Sequence, residues 1–359
     1  MRNDKSGIDR LLSNRVSWLA DSGPEDDIAI SSRIRLARNI EKTPFPMAAS
    51  VEILENTLSI IMHAVRKSAS FPDVIEFELE KVSDLERRLL LERRLISREL
   101  LACKKGSGLS VSKDETFAVM INEEDHLRIQ AMKPGFQLHE VWSDINGIDD
   151  ALSREIPYAF DSEIGFLTSC PTNIGTGMRA SVMLHLPGLA LSGQINAVVH
   201  GVSKLGLAVR GIFGEGSDNL GNLFQVSNQS TLGESEEQII DKLINVIRQI
   251  INHEKNARQT LLEKKQNFLL NHVGRAYGIL KHAYTISSEE TLNSLSALRL
   301  GVDMGMFSSV DIHVVNELFL TVQPAHLQKY AMRELESADR EIYRAALVRE
   351  KLRNIDSRN

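Results

Sequence analysis

Arginines set beside strands, and one cysteine, have the type and spacing to do chemistry in this chain. The arginines occur in four segments: SSRIRLARN (31–39), NEEDHLRIQ (122–130), TNIGTGMRAS (172–181) and VRGIFGEG (209–216). Arg33 and Arg35 alternate along an extended stretch and therefore face one side. With Arg128, Arg179 and Arg210 on the same face, five guanidinium groups would stand together. Like charges so gathered repel each other unless anions sit among them. A guanidinium is shaped to grip a phosphate with two prongs. Gly175, Gly177, Gly211, Gly214 and Gly216 would let the backbone approach such a ligand closely. Cys170 stands at the mouth of the loop in FLTSCPTNIGTGMRASVMLHL (166–186), nine residues before Arg179. Each feature also has a plainer reading. A strand arginine is often a surface residue or half of an ion pair, a glycine an ordinary turn, a free cysteine a small buried hydrophobe. No G-x-x-x-x-G-K-[ST] loop and no G-x-G-x-x-G fingerprint is present.

The elements that must position these residues follow from periodicity. Strands are predicted at 74–79, 116–122, 127–132, 166–169, 180–186, 208–213 and 222–227, and helices at 51–69, 84–103, 148–160 and 194–206. Short links without regular strand–helix alternation predict an α+β fold, an antiparallel sheet flanked by helices. After Gly233 the apolar residues 239, 243, 246, 247 and 250 form a helix stripe. Serines followed by acids predict capped helix starts within 285–292 and 306–319. The expected division is residues 1–255, mixed, and 256–359, all-helical.

The bulk numbers agree with two domains for 359 residues. Hydrophobic residues at 42% and charged residues at 25% describe a globular protein. A net charge of −6 argues against a general nucleic-acid binder. Cys103 and Cys170 are too few for a disulfide framework and suit a reducing compartment. The N-terminal run MRNDKSGIDRLLSNRVSWLA lacks a signal-peptide core, and no apolar run reaches membrane-span length. A cytoplasmic location is the expectation.

SSRIRLARN, NEEDHLRI, CPTNIGTGMRAS and RGIFGEG, in this order, resemble the motifs of the guanidino phosphotransferases, the phosphagen kinase superfamily. Animal members carry a helical domain ahead of the catalytic one. Here SSRIR begins at Ser31 and a helical domain follows instead, an architecture similar to the bacterial protein-arginine kinases. The resemblance implies a phosphagen kinase catalytic domain over 1–255. It implies transfer of the ATP γ-phosphoryl group to a guanidinium, with Mg2+ carried on the ATP oxygens and no protein metal ligand. Glu124 and Glu215 are then the catalytic carboxylates, and Cys170 orients the target nitrogen. A solvated acidic turn is the plainer reading of Glu124. The sequence alone does not choose among Glu123, Glu124 and Asp125. The nucleotide site implied comprises Ser31, Ser32, Arg33, Ile34, Arg35, Arg128, Arg179, Ala180, Ser181, Val182, Met183, Arg210, Gly211, Ile212, Phe213 and Gly214. Arg94, in ERRLIS, replaces a histidine that many relatives use on the nucleotide.

In the C-terminal domain, Arg340, Glu341 and Arg344 form R-E-x-x-R-A, where the protein-arginine kinases have R-D-x-x-R-A for binding phosphoarginine and tuning activity allosterically. A solvated helix face is the plainer alternative. The family implies a role in stress response and protein quality control. Its partners there are a stress-gene transcriptional repressor as substrate, a zinc-binding activator protein and a Clp unfoldase or protease that reads the mark. No membrane and no direct nucleic-acid contact is expected, and apolar C-terminal helices suit a homodimer. A kinase for free arginine or another small guanidine, and a dead adaptor that binds phosphoarginine, are the competing readings.

Overall fold

The structure is a computed structural model that describes residues 7–69, 71, 73–102, 105–211, 219–307 and 309–356. Its strands are β1 (Ala29–Arg38), β2 (Val74–Glu78), β3 (Gly108–Ser112), β4 (Phe117–Ile121), β5 (Leu127–Pro134), β6 (Phe160–Asp161), β7 (Gly165–Phe166), β8 (Met178–His185), β9 (Leu207–Gly211) and β10 (Leu223–Asn228). Eight of them form one sheet in the order β2-β3-β4-β5-β1-β8-β10-β9. The pairings from β2 through β1 are antiparallel, as predicted.

Two compact units interleave in sequence: Met1–Trp18 with Ser31–Ser181 and Ser227–Ile244, and Leu19–Ile30 with Val182–Val226 and Asn245–Asn359. In the first, helix Val51–Lys67 buries Leu54, Leu58, Ile61, Met62 and Val65, one stripe at helical spacing. It starts at Ser50, whose side chain accepts the Ile53 N–H at 3.3 Å. Gly108 of β3 lets this helix come close, because a Cβ there would lie 2.3 Å from Leu58 Cδ1. Helix Leu138–Ser153 packs on β5 through a comparable stripe.

In the second unit, helices follow one another from Gln266 to Asp356. Leu261, Leu269, Val273 and Leu300 form a buried cluster there. Glu254 is fully buried and accepts the N–H groups of Gly188 and Leu189 at 2.8 and 2.9 Å and Arg258 Nε at 2.7 Å. A buried carboxylate is tolerated on such terms. Among the described residues no helix is long and apolar enough to cross a membrane.

Several predicted elements shift. The helix expected over 84–103 breaks into Asp84–Glu92 and Arg98–Leu101, with Arg94 between them at φ +63°. The helix expected over 148–160 is Leu138–Ser153, because its stripe begins at Leu138. The strand expected at 166–169 is reduced to Phe166, which joins the small β6–β7 pair and bridges Gly175. Ser287 caps its helix as predicted, accepting the Glu290 N–H at 3.0 Å. The helix inside 306–319 is instead capped by Asp311, which accepts the His313 N–H at 2.9 Å.

Candidate active site

Arg33 and Arg35 share one face of β1, and Arg128 on β5 stands directly opposite Ala37, which puts it on the same face. Arg179 sits at the start of β8, its Nη2 donating to Ser227 Oγ at 3.2 Å. Arg94 joins them from the break between helices. Its carbonyl accepts from Gln130 Nε2 at 3.0 Å, and Gln130 is the register partner of Arg35. Its guanidinium carbon lies 5.9 Å from the centre of the Trp18 ring. The neighbouring Arg93 turns the other way and is buried against Glu115, with Nε 2.9 and 3.1 Å from its two oxygens. Nothing in ERRLIS separates the two arginines. The left-handed turn at Arg94 does.

The electrostatics of this face follow from burial and like charge. Burial, then Arg94, Arg128 and Arg179, bring the Arg33 pKa down to about 9. Burial, then Arg128, Arg33 and Arg179, push Arg35 well below its ordinary value, and Glu123 alone opposes them. Burial lowers Arg94 to about 10. Arg35 Nε is buried with no hydrogen-bond partner. Grouped cations with an orphaned donor are complementary to a polyanion, and a triphosphate fits that description.

The wider segments around these arginines are mostly packing. Ser32, Ile34, Ala180 and Val182 alternate to the other face and are buried. Ser32 Oγ donates to the Gly135 carbonyl at 2.9 Å and accepts the Gln137 N–H at 3.0 Å. Ser31, Ser181 and Met183 are buried as well, with Ser181 Oγ donating to the Arg33 carbonyl at 3.4 Å. Arg210, exposed, and Gly211, half-buried, stand on β9 in the second unit. Ile212, Phe213, Gly214 and Glu215 lie outside the described residues.

The glycines at 175 and 177 serve another purpose than the one expected. Both have positive φ, +106° and +62°. A Cβ on Gly175 would meet the Thr231 carbonyl at 2.3 Å, and one on Gly177 the Ala37 carbonyl at 2.6 Å. They let protein backbone approach protein backbone.

The acidic loop before β5 assigns its three carboxylates distinct places. Glu123 receives Arg128 Nη1 on both oxygens, at 2.5 and 2.7 Å. Asp125 is buried, and its Oδ1 accepts Asn39 Nδ2 at 2.6 Å and the Ser169 N–H at 2.7 Å. Glu124 is the carboxylate left facing outward, and it accepts a hydrogen bond from Cys170. Ser169 Oγ donates to the Glu124 carbonyl at 2.7 Å, which fixes Cys170 beside it. The Cys170 thiol lies 3.0 Å from Thr172 Oγ1, at the start of the turn Pro171–Asn173. The groups described around this cysteine are a carboxylate and a hydroxyl.

Asn39 organises the loop from a distance. Its Oδ1 accepts the His126 N–H at 2.9 Å while its Nδ2 serves Asp125 and, at 3.0 Å, the Leu167 carbonyl. His126 Nδ1 accepts the Ile40 N–H at 3.1 Å, so its proton is assigned to Nε2, 3.0 Å from the Pro44 carbonyl. Burial keeps the His126 pKa below its ordinary value, consistent with a neutral clasp. Sequence reading did not single out Asn39 or Ser169, although both lie in or beside quoted motifs.

Burial raises the Glu124 pKa first, then the charge of Asp125; the Cys170 hydrogen bond opposes them. This gives a test with a definite sign. Asp125→Asn keeps an acceptor for Asn39 and removes the charge, so the Glu124 pKa falls. The acid limb of the pH profile of kcat/KM is then expected to move to lower pH. A limb that stays or moves up would remove Glu124 from the titrating role.

In the second unit, Arg340 and Arg344 lie on helix Ser337–Asp356. Arg344 is buried, its Nε donating to the Val322 carbonyl at 3.1 Å and its Nη1 to the Ile286 carbonyl at 3.0 Å. Arg340 Nη1 donates to the Leu335 carbonyl at 2.7 Å. Glu341 is half-buried and raises the Arg344 pKa against the stronger effect of burial. Arg344 therefore also satisfies the carbonyl of Val322, the residue that ends helix Ile312–Thr321.

The ATP:guanido phosphotransferase C-terminal catalytic domain matches residues 58–257. The protein-arginine kinase McsB C-terminal domain matches residues 266–359. In fold the chain is similar to lombricine kinase, with a TM-score of 0.58 at 23% identity, covering 71% of this chain and 72% of that one. It is likewise similar to the duplicated taurocyamine kinase from Schistosoma mansoni with bound transition state analog components, with a TM-score of 0.60 at 24% identity, covering 78% of this chain and 41% of that one. Sheet, site and matched domains thus define the class, the guanidino phosphotransferases with the phosphagen kinase fold, which use ATP. The protein-arginine kinase of Desulforamulus reducens is 47% identical over 354 residues, covering 98% of this chain and 99% of that protein. That of Halalkalibacterium halodurans is 45% identical over 356 residues, covering 98% and 99%. The chain belongs to the protein-arginine kinase family.

Proposed function

We propose that this chain moves the γ-phosphoryl group of ATP onto the guanidinium of arginine side chains in proteins. The observation that carries the proposal is the meeting of two features in one unit: a half-buried face of mutually repelling arginines, and the outward carboxylate of Glu124 beside the Cys170 thiol. A guanidinium is protonated at neutral pH and its nitrogen is a poor nucleophile. Glu124 holds it in line and takes a proton as the N–P bond forms. The P–O bond to the β-phosphate breaks, and the arginine face receives the charge that passes to ADP. Cys170 orients the target nitrogen. Glu215 is the second carboxylate, and Mg2+ travels on the ATP oxygens.

Residues 1–255 do this work in the proposal. Residues 256–359 bind phosphoarginine through Arg340, Glu341 and Arg344, tune the kinase allosterically and support a homodimer. In a bacterial cytoplasm the substrates include a stress-gene repressor, a zinc-binding protein activates the kinase, and a Clp unfoldase reads the mark. The test is intact-mass spectrometry of a generic protein acceptor with ATP and magnesium. A gain of phosphoryl groups localised to arginine, with free arginine untouched, supports the proposal. Modification of free arginine alone assigns a small-guanidine kinase, and no transfer with retained phosphoarginine binding assigns an adaptor.

A further inference from the structure

The cavity that opens on Glu124 has room and chemistry for more than one guanidinium. Its volume is about 500 Å3, and all of its lining comes from the first unit. Its polar lining carries three carboxylates, Glu99, Glu123 and Glu124, against one guanidinium, Arg128, with the Ser107 hydroxyl and the amide of Asn122 beside them. Glu123 is already neutralised by Arg128. Glu124 is the group assigned to the target guanidinium. Glu99 remains, and among the described residues it forms no ion pair.

Asn122 supplies an independent sign of a missing donor. It is 2% exposed, and its Nδ2 is held by the carbonyls of Leu54 at 2.9 Å and Gly106 at 2.7 Å. Those bonds fix the amide and leave Oδ1 buried without a partner. A buried acceptor with no donor is costly in a native protein. A ligand that brings N–H groups to this wall serves Asn122 and Glu99 together.

We propose that Glu99 and Asn122 form a second, cation-accepting subsite beside Glu124, which takes a lysine or arginine side chain flanking the target arginine of a polypeptide. The inference rests on the protein-arginine kinase reading and adds a preference to it: basic segments over acidic ones. Glu99 is exposed at the cavity rim, where a side chain of a bound segment reaches it. Burial opposes its ionisation. Its own backbone N–H, the Ser97 hydroxyl, and the fields of Arg128 and Arg35 outweigh that and hold its pKa below the ordinary value. The carboxylate is therefore an anion at neutral pH.

The experiment compares kcat/KM of the full chain for two short peptides with one arginine each, flanked by lysine in one and by glutamate in the other. Wild type is expected to favour the lysine-flanked peptide by about fivefold at low ionic strength, in keeping with a partly exposed ion pair. Added salt reduces the ratio. Glu99→Gln brings it toward one, and Glu99→Lys inverts it. Transfer to both peptides at a ratio that neither substitution moves overturns the subsite and leaves the kinase reading standing. Transfer to neither peptide, nor to any protein acceptor, overturns the kinase reading and the subsite with it.

Discussion

Glu124→Gln is expected to lower kcat by about a thousandfold, within the range that general-base catalysis supplies, and to leave ATP affinity nearly unchanged. Glutamine keeps the size of the side chain and one acceptor oxygen, but it cannot take a proton. The split between kcat and ATP affinity matters because Glu124 does not belong to the arginine face. Its side-chain partner is Cys170, and the loop that carries it is held by Ser169 and Asn39. Glu123→Gln gives the contrast. It releases Arg128 from a two-oxygen ion pair, so its first effect falls on nucleotide binding. Single-turnover measurements with saturating ATP separate the two variants. Near-wild-type turnover in Glu124→Gln would show that the proton leaves by another route.

The arginine face was legible in the sequence because strand alternation has a short period. Arg33 and Arg35 differ by two residues, and two residues on an extended strand mean one face. The choice among Glu123, Glu124 and Asp125 was not legible, because partners distant in sequence make it. Asn39 lies 86 residues from Asp125, and Ser169 lies 44 residues from it. Arg94 was legible only through a resemblance, since the turn that parts it from Arg93 has a positive φ at a non-glycine residue. The glycines misled for a related reason. Sequence marks a glycine where the backbone is crowded or turned, but it does not say whether ligand or protein does the crowding. Strand β3, GLSVS, was missed because only two apolar residues, Leu109 and Val111, carry its alternation. The antiparallel sheet as a whole was recoverable, since β4 and β5 announce themselves by apolar, β-branched runs joined by a short acidic link.

Arg35→Met should move stability and function in opposite directions, and that opposition identifies a ligand-binding charge. Without nucleotide, Arg35 is half-buried, its Nε is buried and unpartnered, and Arg128, Arg33 and Arg179 repel it. Replacing such a charge with an apolar side chain of similar length is expected to stabilise the ligand-free protein by about 1–3 kcal/mol, seen as a rise in Tm. Under the proposed function the same change removes a donor for the ATP phosphates. kcat/KM for ATP should fall by at least about a hundredfold, in line with loss of a preorganised charge at a phosphoryl-transfer site. Linkage joins the two results. ATP binding to the native state raises the wild-type Tm, and the variant should lose most of that rise. If Arg35 were instead half of a structural ion pair with Glu123, the variant would melt earlier with and without ATP, because an uncompensated buried carboxylate would remain. A protein that keeps a repelling group at a cost to its own stability keeps it for the anion that completes it. The sign of the Tm shift is therefore the most direct reading of what this face is for.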